Sequence, residues 1–209
     1  GFVDKFLALR GFKPMRRCLS LSNVEGDKDY THLVARKIKQ IARKHGAISL
    51  TGYAARKWEK TRYTEPYMRE DLFDYGIMID TLEASVTWDN LHNLHEGVRA
   101  FVKSRPGTIC MTHASHFYPQ GTNLYFIFMA RMEVEEYVAF QKGVIENIVK
   151  YGGTLSHHHG VGRLLAPWME EHLGKEQMAV LRVLKRHFDP HNIMNPGGQL
   201  GLDDIPARR

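Results

Sequence analysis

The sequence is poor in cysteine and has no long hydrophobic run. Its 209 residues include only two cysteines, Cys18 and Cys110, which lie far apart. So few cysteines exclude a disulfide framework and favour a reduced, intracellular compartment. No apolar run approaches the roughly 20 residues that a membrane-spanning helix needs, and no signal peptide begins the chain. We therefore expect a cytoplasmic protein, with peripheral membrane contact left open.

Motifs for several common ligands are also missing. The chain has no Gly-x-x-x-x-Gly-Lys-Ser/Thr loop and no Cys-x-x-Cys pair. Gly160-x-Gly162 resembles a dinucleotide fingerprint, but Leu165 takes the third glycine position and no strand clearly precedes it, so a Rossmann site is excluded. The net charge of +6 favours anionic partners such as phosphate, carboxylate or a membrane surface. Without a Lys/Arg tract or a recognisable module, we expect no nucleic-acid partner.

A run of three histidines between glycines is the most unusual feature that is present. His157, His158 and His159 stand between Gly152-Gly153 and Gly160-x-Gly162. Histidine titrates near neutral pH, and glycine permits tight turns and close approach of the backbone to a ligand. Adjacent imidazolium ions repel each other, so at least one ring should stay neutral and could act as a base. The alternative is a solvated histidine loop without function.

The same histidines raise the question of a metal site. His113 and His116 are three residues apart and could join the triplet around one ion. Adjacent histidines do not easily converge on one ion, and on an extended backbone His158 would point away from its neighbours. We therefore predict no metal ligand, and a polar strand end is the simpler interpretation of His113 and His116.

Two further residues have both a structural and a functional interpretation. Tyr125 lies in an apolar strand, where it could be a core aromatic or, near cationic groups, a proton donor and acceptor. Arg69 could be a solvated arginine paired with a neighbouring acid, or it could clamp a carboxylate or phosphate of a substrate.

Apolar periodicity in the first third of the chain predicts a small β-α-β unit. Helices are predicted over residues 2–9 and 30–44, short strands over residues 18–22 and 47–50, and irregular structure over residues 51–67.

The remaining pattern predicts an antiparallel sheet with helices on one face. Residues 74–87 form the longest predicted strand, Asp89 caps a helix over residues 90–103, residues 108–118 and 123–131 form a hairpin, and residues 133–151 form a helix. Helices over residues 164–173 and 177–188 and a mobile tail from Gly201 follow. The fold class is α+β, an antiparallel sheet covered by helices with a helical C-terminal segment.

The residues around the histidine triplet resemble a known family. Residues 153–162 are similar to the histidine motif of the alkyldihydroxyacetonephosphate synthases, also called alkylglycerone-phosphate synthases. These enzymes are FAD flavoproteins of the vanillyl-alcohol-oxidase type. Nearly the whole chain takes part in the resemblance, with further similar stretches at residues 6–14, 67–70, 80–83, 86–89, 124–126 and 188–190.

Differences from related enzymes point to the same branch. Enzymes that oxidise D-lactate or glycolate carry Gly-Glu-His-Gly where this chain has His157-His158-His159-Gly160. They also carry a histidine-rich metal strand with Gly-Asp-Gly-Asn, which this chain lacks at residues 116–123. The ending at residues 193–197, Ile-Met-Asn-Pro-Gly, is instead that of general bacterial flavin oxidases, so the substrate stays open.

The resemblance implies a domain organisation and a reaction. Residues 1–209 would be the C-terminal substrate or cap domain, ferredoxin-like in fold, and a separate N-terminal domain outside this chain would bind FAD. In the synthases, acyl-dihydroxyacetone phosphate exchanges its fatty acid for a fatty alcohol in ether lipid synthesis. FAD forms a transient adduct there without net redox change. The full-length protein would be a homodimer, and this chain alone would be inactive.

Roles for individual residues also follow from the resemblance. Arg69 would hold the departing carboxylate, and Tyr125 and the three histidines would move protons and bind phosphate, with His158 as the base. His159 and Asn195 would contact FAD. Two alternatives stay open: an FAD-dependent oxidase or dehydrogenase of a hydroxy acid or alcohol, and a non-enzymatic metal- or anion-binding module.

Overall fold

The chain divides into two units, Gly1–Met68 and Arg69–Arg209. The computed structural model describes residues 1–14, 16–64 and 67–202, apart from the side chain of Gln199. The predicted tail beyond residue 202 therefore lies outside the described residues. Within them, no helix combines the length and the apolar character that crossing a membrane requires.

The first unit is helical. It contains α1 (Phe2–Leu9), α2 (Lys28–Lys44) and α3 (Tyr53–Thr61). None of the described residues in these three helices is buried, and the apolar side chains of Leu33, Ile38 and Ile41 on α2 are exposed.

The prediction of a β-α-β unit in this region was wrong. Residues 18–22 and 47–50 form no strand, because a strand needs partners for its backbone N–H and C=O groups, and isolated pairs of short strands are marginal in water. Residues 51–64 are not wholly irregular either, since they include α3, whose Ala, Arg, Lys and Glu residues have high helix propensity. Positions 65 and 66 lie outside the described residues.

The second unit holds the sheet and most of the helices. Its elements are α4 (Met68–Phe73, which begins at the last residue of the first unit), β1 (Ile77–Thr87), α5 (Leu91–Ser104), β2 (Ile109–Ser115), β3 (Gly121–Arg131), α6 (Val134–Lys150), α7 (Gly162–Leu165), α8 (Met169–Leu173) and α9 (Lys175–Phe188), with 3₁₀ turns at Ala166–Trp168 and Gln199–Gly201. The predicted long strand, hairpin and flanking helices are confirmed.

Two details of these predictions were wrong. Asn90, not Asp89, is the N-cap of α5, and its side chain instead donates a hydrogen bond to the Tyr151 carbonyl at 2.9 Å. The single helix predicted over residues 164–173 is broken by the 3₁₀ turn at Ala166–Trp168, because Pro167 has no N–H to donate within a continuous helix.

The three strands are arranged in the order β1-β3-β2, and both neighbouring pairs are antiparallel. β1 and β2 are therefore parallel to each other with β3 between them, and α5 forms the crossover that joins them. This split β-α-β arrangement is that of ferredoxin-like folds. The predicted α+β fold with an antiparallel sheet is confirmed.

Alternation along the strands separates the two faces of the sheet. Leu82, Ala84 and Val86 of β1 and the even-numbered Phe126 and Phe128 of β3 are buried. They belong to one core cluster with Leu94, Val98 and Val102 of α5 and with Val144, Ile145 and Ile148 of α6. Because successive residues of a strand point to opposite faces, the odd-numbered residues of β1 and β3 form the face away from α5 and α6.

Candidate active site

Three polar side chains lie side by side on the face of the sheet opposite α5 and α6. Glu83 of β1 and His113 of β2 are both the register partners of Tyr125 of β3. Directly paired residues of antiparallel strands project from the same face. The rings of His113 and Tyr125 lie 5.1 Å apart between centroids. The strand order thus places a carboxylate, a phenol and an imidazole in one row.

Two glycines bring the histidine triplet to this row. Gly152, at φ +75, and Gly153 end α6: their N–H groups donate to the carbonyls of Val149 at 3.0 Å and of Ile148 at 2.9 Å. This is the bonding pattern of a Schellman motif, which the positive φ of Gly152 permits. A Cβ on Gly153 would lie 3.0 Å from side-chain atoms of Ile148 and Leu94. The chain therefore leaves α6 in close contact with the core.

The next residues attach to the free edge of β1. The N–H of Thr154 donates to the Ser85 carbonyl at 3.1 Å, and the Thr154 Oγ1 accepts from the Ser85 N–H at 2.9 Å. Beyond this contact the histidine loop, defined here as residues 156–160, turns over the polar face of the sheet. A segment that follows α6 along β1 occupies the edge where a ferredoxin-like fold has its fourth strand.

Glu83 holds the histidine loop by its backbone. Its Oε1 atom accepts hydrogen bonds from the N–H groups of His157, His158 and His159 at 2.8, 2.7 and 2.6 Å, and from the Ser156 hydroxyl at 3.0 Å. Successive N–H groups that point at one anion form a nest, a common device for holding negative charge. Glu83 is only 3% exposed, so its carboxylate depends on these donors in place of water.

The same donors determine the charge of Glu83. Burial raises the pKa of its carboxyl, but the N–H groups of His159, His158 and His157 and the side chain of Asn123 together lower it further, to a pKa of about 2. Glu83 is therefore an ionised carboxylate near neutral pH.

The histidine rings connect this carboxylate to two phenols. His158 Nδ1 lies 3.0 Å from Glu83 Oε2, and His158 Nε2 lies 3.3 Å from Tyr125 Oη. His157 Nδ1 lies 3.0 Å from His158 Nδ1, and His157 Nε2 lies 3.1 Å from Tyr118 Oη. The site therefore contains a continuous line of groups that can exchange protons.

Burial differs along this line. Tyr125 is 8% exposed, and its hydroxyl also accepts a hydrogen bond from Ser115 Oγ at 3.2 Å. The His158 side chain is 41% exposed, and its ring lies 4.7 Å from those of His116 and His159. A buried phenol beside a half-exposed imidazole can pass a proton between the protein and a bound molecule.

The structure thus brings Tyr125, His157, His158 and His159 together.

Arg69 does not lie beside the histidines and Tyr125. The Arg69 guanidinium lies over the Phe73 ring at 5.3 Å and is close enough to Tyr137 to lower the pKa of that phenol. Burial and the Asp80 carboxylate, which accepts from Tyr137 Oη at 2.6 Å, outweigh this and raise the Tyr137 pKa. Asp80 is an even-numbered residue of β1, on the face opposite Glu83, so a substrate-binding role for Arg69 remains a prediction.

Asn195 lies in a loop that is tied to the end of the histidine region. It is exposed, with φ +49, and the carbonyl of the next residue, Pro196, accepts a hydrogen bond from Arg163 Nη2 at 3.0 Å. A cavity of about 260 Å³ lies nearby, lined among others by Glu83, His159 and Arg163. The FAD-binding roles of His159 and Asn195 are likewise predictions.

Two groups of side chains in the described region have the geometry to hold a metal ion: His116, His157 and His158, and Glu83, His158 and His159. In each group the ligand atoms lie within 4.8 Å of one another. The expectation that adjacent histidines do not converge was wrong, because Glu83 draws their backbone N–H groups to one oxygen and the loop is not extended. The prediction that no metal is bound remains untested.

Sequence reasoning gave no role to Glu83, Tyr118, Ser115 or Asn123. Glu83 carried the one available signal, since it is the only charged residue of the strand-like stretch Thr81-Leu82-Glu83-Ala84-Ser85-Val86. A charged side chain that is buried in a strand needs hydrogen-bonding or oppositely charged partners. The partners themselves come from β2, β3 and the loop after α6, and a linear pattern does not reveal them.

The chain is similar to several known proteins. It is 35% identical over 207 residues to the alkyldihydroxyacetonephosphate synthase of Dictyostelium discoideum, a match that covers 94% of this chain and 34% of that protein. It is 27% identical over 203 residues to the synthase of the same name from Trypanosoma brucei brucei, covering 92% and 33%. A solved structure of an alkyldihydroxyacetonephosphate synthase superimposes with a TM-score of 0.62 at 26% identity, covering 93% of this chain and 33% of that one.

The chain spans about a third of the length of these relatives. The family model described as FAD linked oxidases, C-terminal domain, matches residues 2–198. Both the sequence match and the structural match extend over the first unit as well as the second. The chain belongs to the family of C-terminal domains of FAD linked oxidases.

Proposed function

We propose that this chain is the substrate-facing part of a flavoenzyme that makes an alkyl ether from acyl-dihydroxyacetone phosphate, as the names of its synthase relatives suggest. The observation that carries the proposal is the contact of 3.3 Å between Tyr125 Oη and His158 Nε2 on the open face of the sheet. An FAD-binding domain outside this chain would complete the site.

FAD is the cofactor of the family, and the chemistry of the exposed groups fits it. A flavin ring presents carbonyl oxygens and ring nitrogens, which pair with imidazole and amide groups such as those of His159 and Asn195. Both side chains are exposed and belong to segments joined by the bond from Arg163 to the Pro196 carbonyl. When bound, FAD supplies the electron-accepting ring on which the exchange depends.

The chain's own residues move the protons of the exchange. The carbon–oxygen bond to the departing fatty acid breaks and a bond to the alcohol oxygen forms, so the alcohol must lose its proton and no net oxidation occurs. His158 Nε2 takes up a proton through the hydroxyl of Tyr125, which lies within hydrogen-bond distance. The pair can return the proton to the leaving group.

Binding of the phosphate and of the carboxylate falls to other side chains. His116 is exposed beside the pair, with its ring 5.1 Å from that of His157, and its N–H group can donate to a phosphate. Arg69 lies beside Tyr137, which binds Asp80 on the face of β1 opposite Glu83, so it would hold the departing carboxylate only of a substrate that extends past the edge of the sheet.

The experiment uses the full-length flavoenzyme that contains this chain. The enzyme is incubated without oxygen with acyl-dihydroxyacetone phosphate and a labelled fatty alcohol. It should release fatty acid and incorporate the labelled alcohol into the ketone phosphate, and the absorbance spectrum should be that of oxidised flavin when the reaction is complete. Stoichiometric bleaching of the flavin by a hydroxy acid, without exchange, would instead establish the oxidase alternative.

A further inference from the structure

We propose that Glu83 is a positioning residue that fixes the tautomers of His158 and His157, so that His158 presents a lone pair on Nε2 to the hydroxyl of Tyr125. The inference deepens the proposed function, because the base role of His158 there rests on this lone pair. It is carried, however, by the hydrogen-bond geometry around one carboxylate.

The first step is that the backbone, hydroxyl and amide groups within hydrogen-bond distance of Glu83, among the described residues, all donate to it. Oε1 accepts from three backbone N–H groups and the Ser156 hydroxyl. Oε2 accepts from Asn123 Nδ2 at 2.9 Å and faces His158 Nδ1 at 3.0 Å. An ionised carboxylate only accepts hydrogen bonds. His158 Nδ1 must therefore carry the hydrogen that it shares with Glu83.

The second step fixes the ring of His157. Its Nδ1 lies 3.0 Å from the protonated Nδ1 of His158, and two N–H groups cannot face each other at this distance. His157 Nδ1 therefore carries a lone pair and shares the single Nδ1 hydrogen of His158 with Glu83 Oε2. A neutral His157 then carries its own hydrogen on Nε2, where it donates to Tyr118 Oη at 3.1 Å.

The third step reaches Tyr125. A neutral His158 with its hydrogen on Nδ1 has a lone pair on Nε2, which accepts from the Tyr125 hydroxyl at 3.3 Å. Ser115 Oγ donates to Tyr125 Oη at 3.2 Å, which leaves the phenol hydrogen free for His158. A hydrogen bond on one ring nitrogen of a histidine commonly determines the state of the other.

A neutral side chain of the same shape would not keep the hydrogen of His158 on Nδ1. In Glu83→Gln, one carboxamide end can still accept from the histidine N–H groups, but the other presents N–H to His158 Nδ1. That nitrogen would then have to be an acceptor, and the hydrogen would move to Nε2. The loop would keep its anchor while His158 lost its lone pair towards Tyr125.

The test measures ring protonation directly. Full-length holoenzyme labelled with ¹⁵N-histidine gives long-range ¹H–¹⁵N correlations that distinguish protonated from unprotonated ring nitrogens, assigned with His157→Gln and His158→Gln variants. The expected result is a hydrogen on Nδ1 of His158 and on Nε2 of His157. A hydrogen on Nε2 of a neutral His158 in the unmodified enzyme would overturn the inference, whether or not any variant folds.

The variant adds a second readout. Glu83→Gln should move the His158 hydrogen to Nε2 and lower kcat by about 10²-fold, with KM changed much less, since general-base catalysis contributes on this scale. Asp80→Asn makes the same carboxylate-to-amide change on the opposite face of β1 and should leave the His158 tautomer unaltered. An unaltered tautomer in Glu83→Gln would contradict the inference.

The two proposals can fail separately. An enzyme with the expected tautomers but no exchange of fatty acid for alcohol would retain the role of Glu83 and overturn the proposed function. Exchange activity in an enzyme with the opposite tautomers would support the proposed function and overturn the role of Glu83.

Discussion

At the scale of single residues, one buried carboxylate organises the candidate site. Glu83 binds the backbone of three consecutive histidines and the ring of one of them. The free-energy cost of burying this charge is offset by donors from the loop, the sheet and Asn123, so the loop and the carboxylate stabilise each other. Two predictions depend on this arrangement.

The first concerns turnover. In the full-length enzyme, Tyr125→Phe and His158→Ala should each lower kcat by about 10²-fold or more, because each removes one partner of the pair that we propose to transfer protons. Steady-state kinetics with saturating substrates measures this. Tyr75→Phe, which changes an exposed tyrosine of the same unit, is the matched control. Unchanged turnover in Tyr125→Phe would remove the phenol from the mechanism.

The second concerns acid stability. The folded pKa of Glu83, about 2, lies below its ordinary value of 4.5. A carboxyl whose pKa is lowered on folding stabilises the fold above the unfolded pKa, and this contribution is lost as the pH falls from 4.5 towards 2. A tenfold difference between the folded and unfolded acid dissociation constants corresponds to about 1.4 kcal/mol.

Denaturant unfolding of the wild type and of Glu83→Gln between pH 7 and pH 3 measures this difference. The wild type should be the more stable protein at pH 7, and its advantage should shrink as the solution becomes acidic. An advantage that stayed constant over this range would mean that the ionised form of Glu83 is not what stabilises the fold.

At the scale of elements, the end of α6 determines where the histidines lie. Gly152 and Gly153 close the helix, and Thr154 joins the edge of β1 at Ser85. This exit places the histidine loop above Glu83 and Tyr125 on neighbouring strands. A change in the exit should therefore disturb both stability and catalysis.

Gly153→Ala tests the exit. The added Cβ would lie 3.0 to 3.1 Å from Ile148, Leu94 and Ala84, and overpacking of this kind costs about 1–3 kcal/mol. The midpoint temperature of thermal unfolding and the turnover number should both decrease. Gly107→Ala is the control: it has φ +73 and open space around its Cβ, so it should cost stability through backbone strain alone and leave turnover unchanged. Normal turnover in Gly153→Ala would show that the loop tolerates a shifted exit.

At the scale of the whole molecule, many large apolar side chains of the described residues are exposed. None of the described residues of α1, α2 and α3 is fully buried, and the chain spans about a third of the length of its synthase relatives. Exposed apolar surface of this kind marks interaction sites. The partner domain, the homodimer and the membrane contact remain predictions.

One prediction belongs to this scale. The 209-residue chain purified alone should be colourless, bind added FAD weakly and show no turnover, because most contacts to the cofactor would come from another domain. Absorbance spectra and titration with FAD measure this. A yellow preparation with bound flavin would contradict it, and size-exclusion chromatography would show whether the apolar helices cause self-association.

The sequence by itself determined the second unit well. The alternation predicted over residues 74–87 and the 3.6-residue periodicity in α5 and α6 arise from burial on one face, and the hairpin was predicted from two strand-like runs, residues 108–118 and 123–131. The histidine motif likewise identified the family, which the comparisons confirmed. In the first unit, the same patterns overpredicted strands, because short alternating runs become strands only where partners are available.

Only the tertiary structure decided which residues form the site. The histidine run was visible in the sequence, but its hydrogen-bond partners are Glu83, 73 residues before Ser156, and Tyr125 and Tyr118 from the β2–β3 hairpin. Hydrogen bonds between such distant residues are set by strand register and by the exit of α6. Local pattern carries no information about either, since both result from how the elements pack.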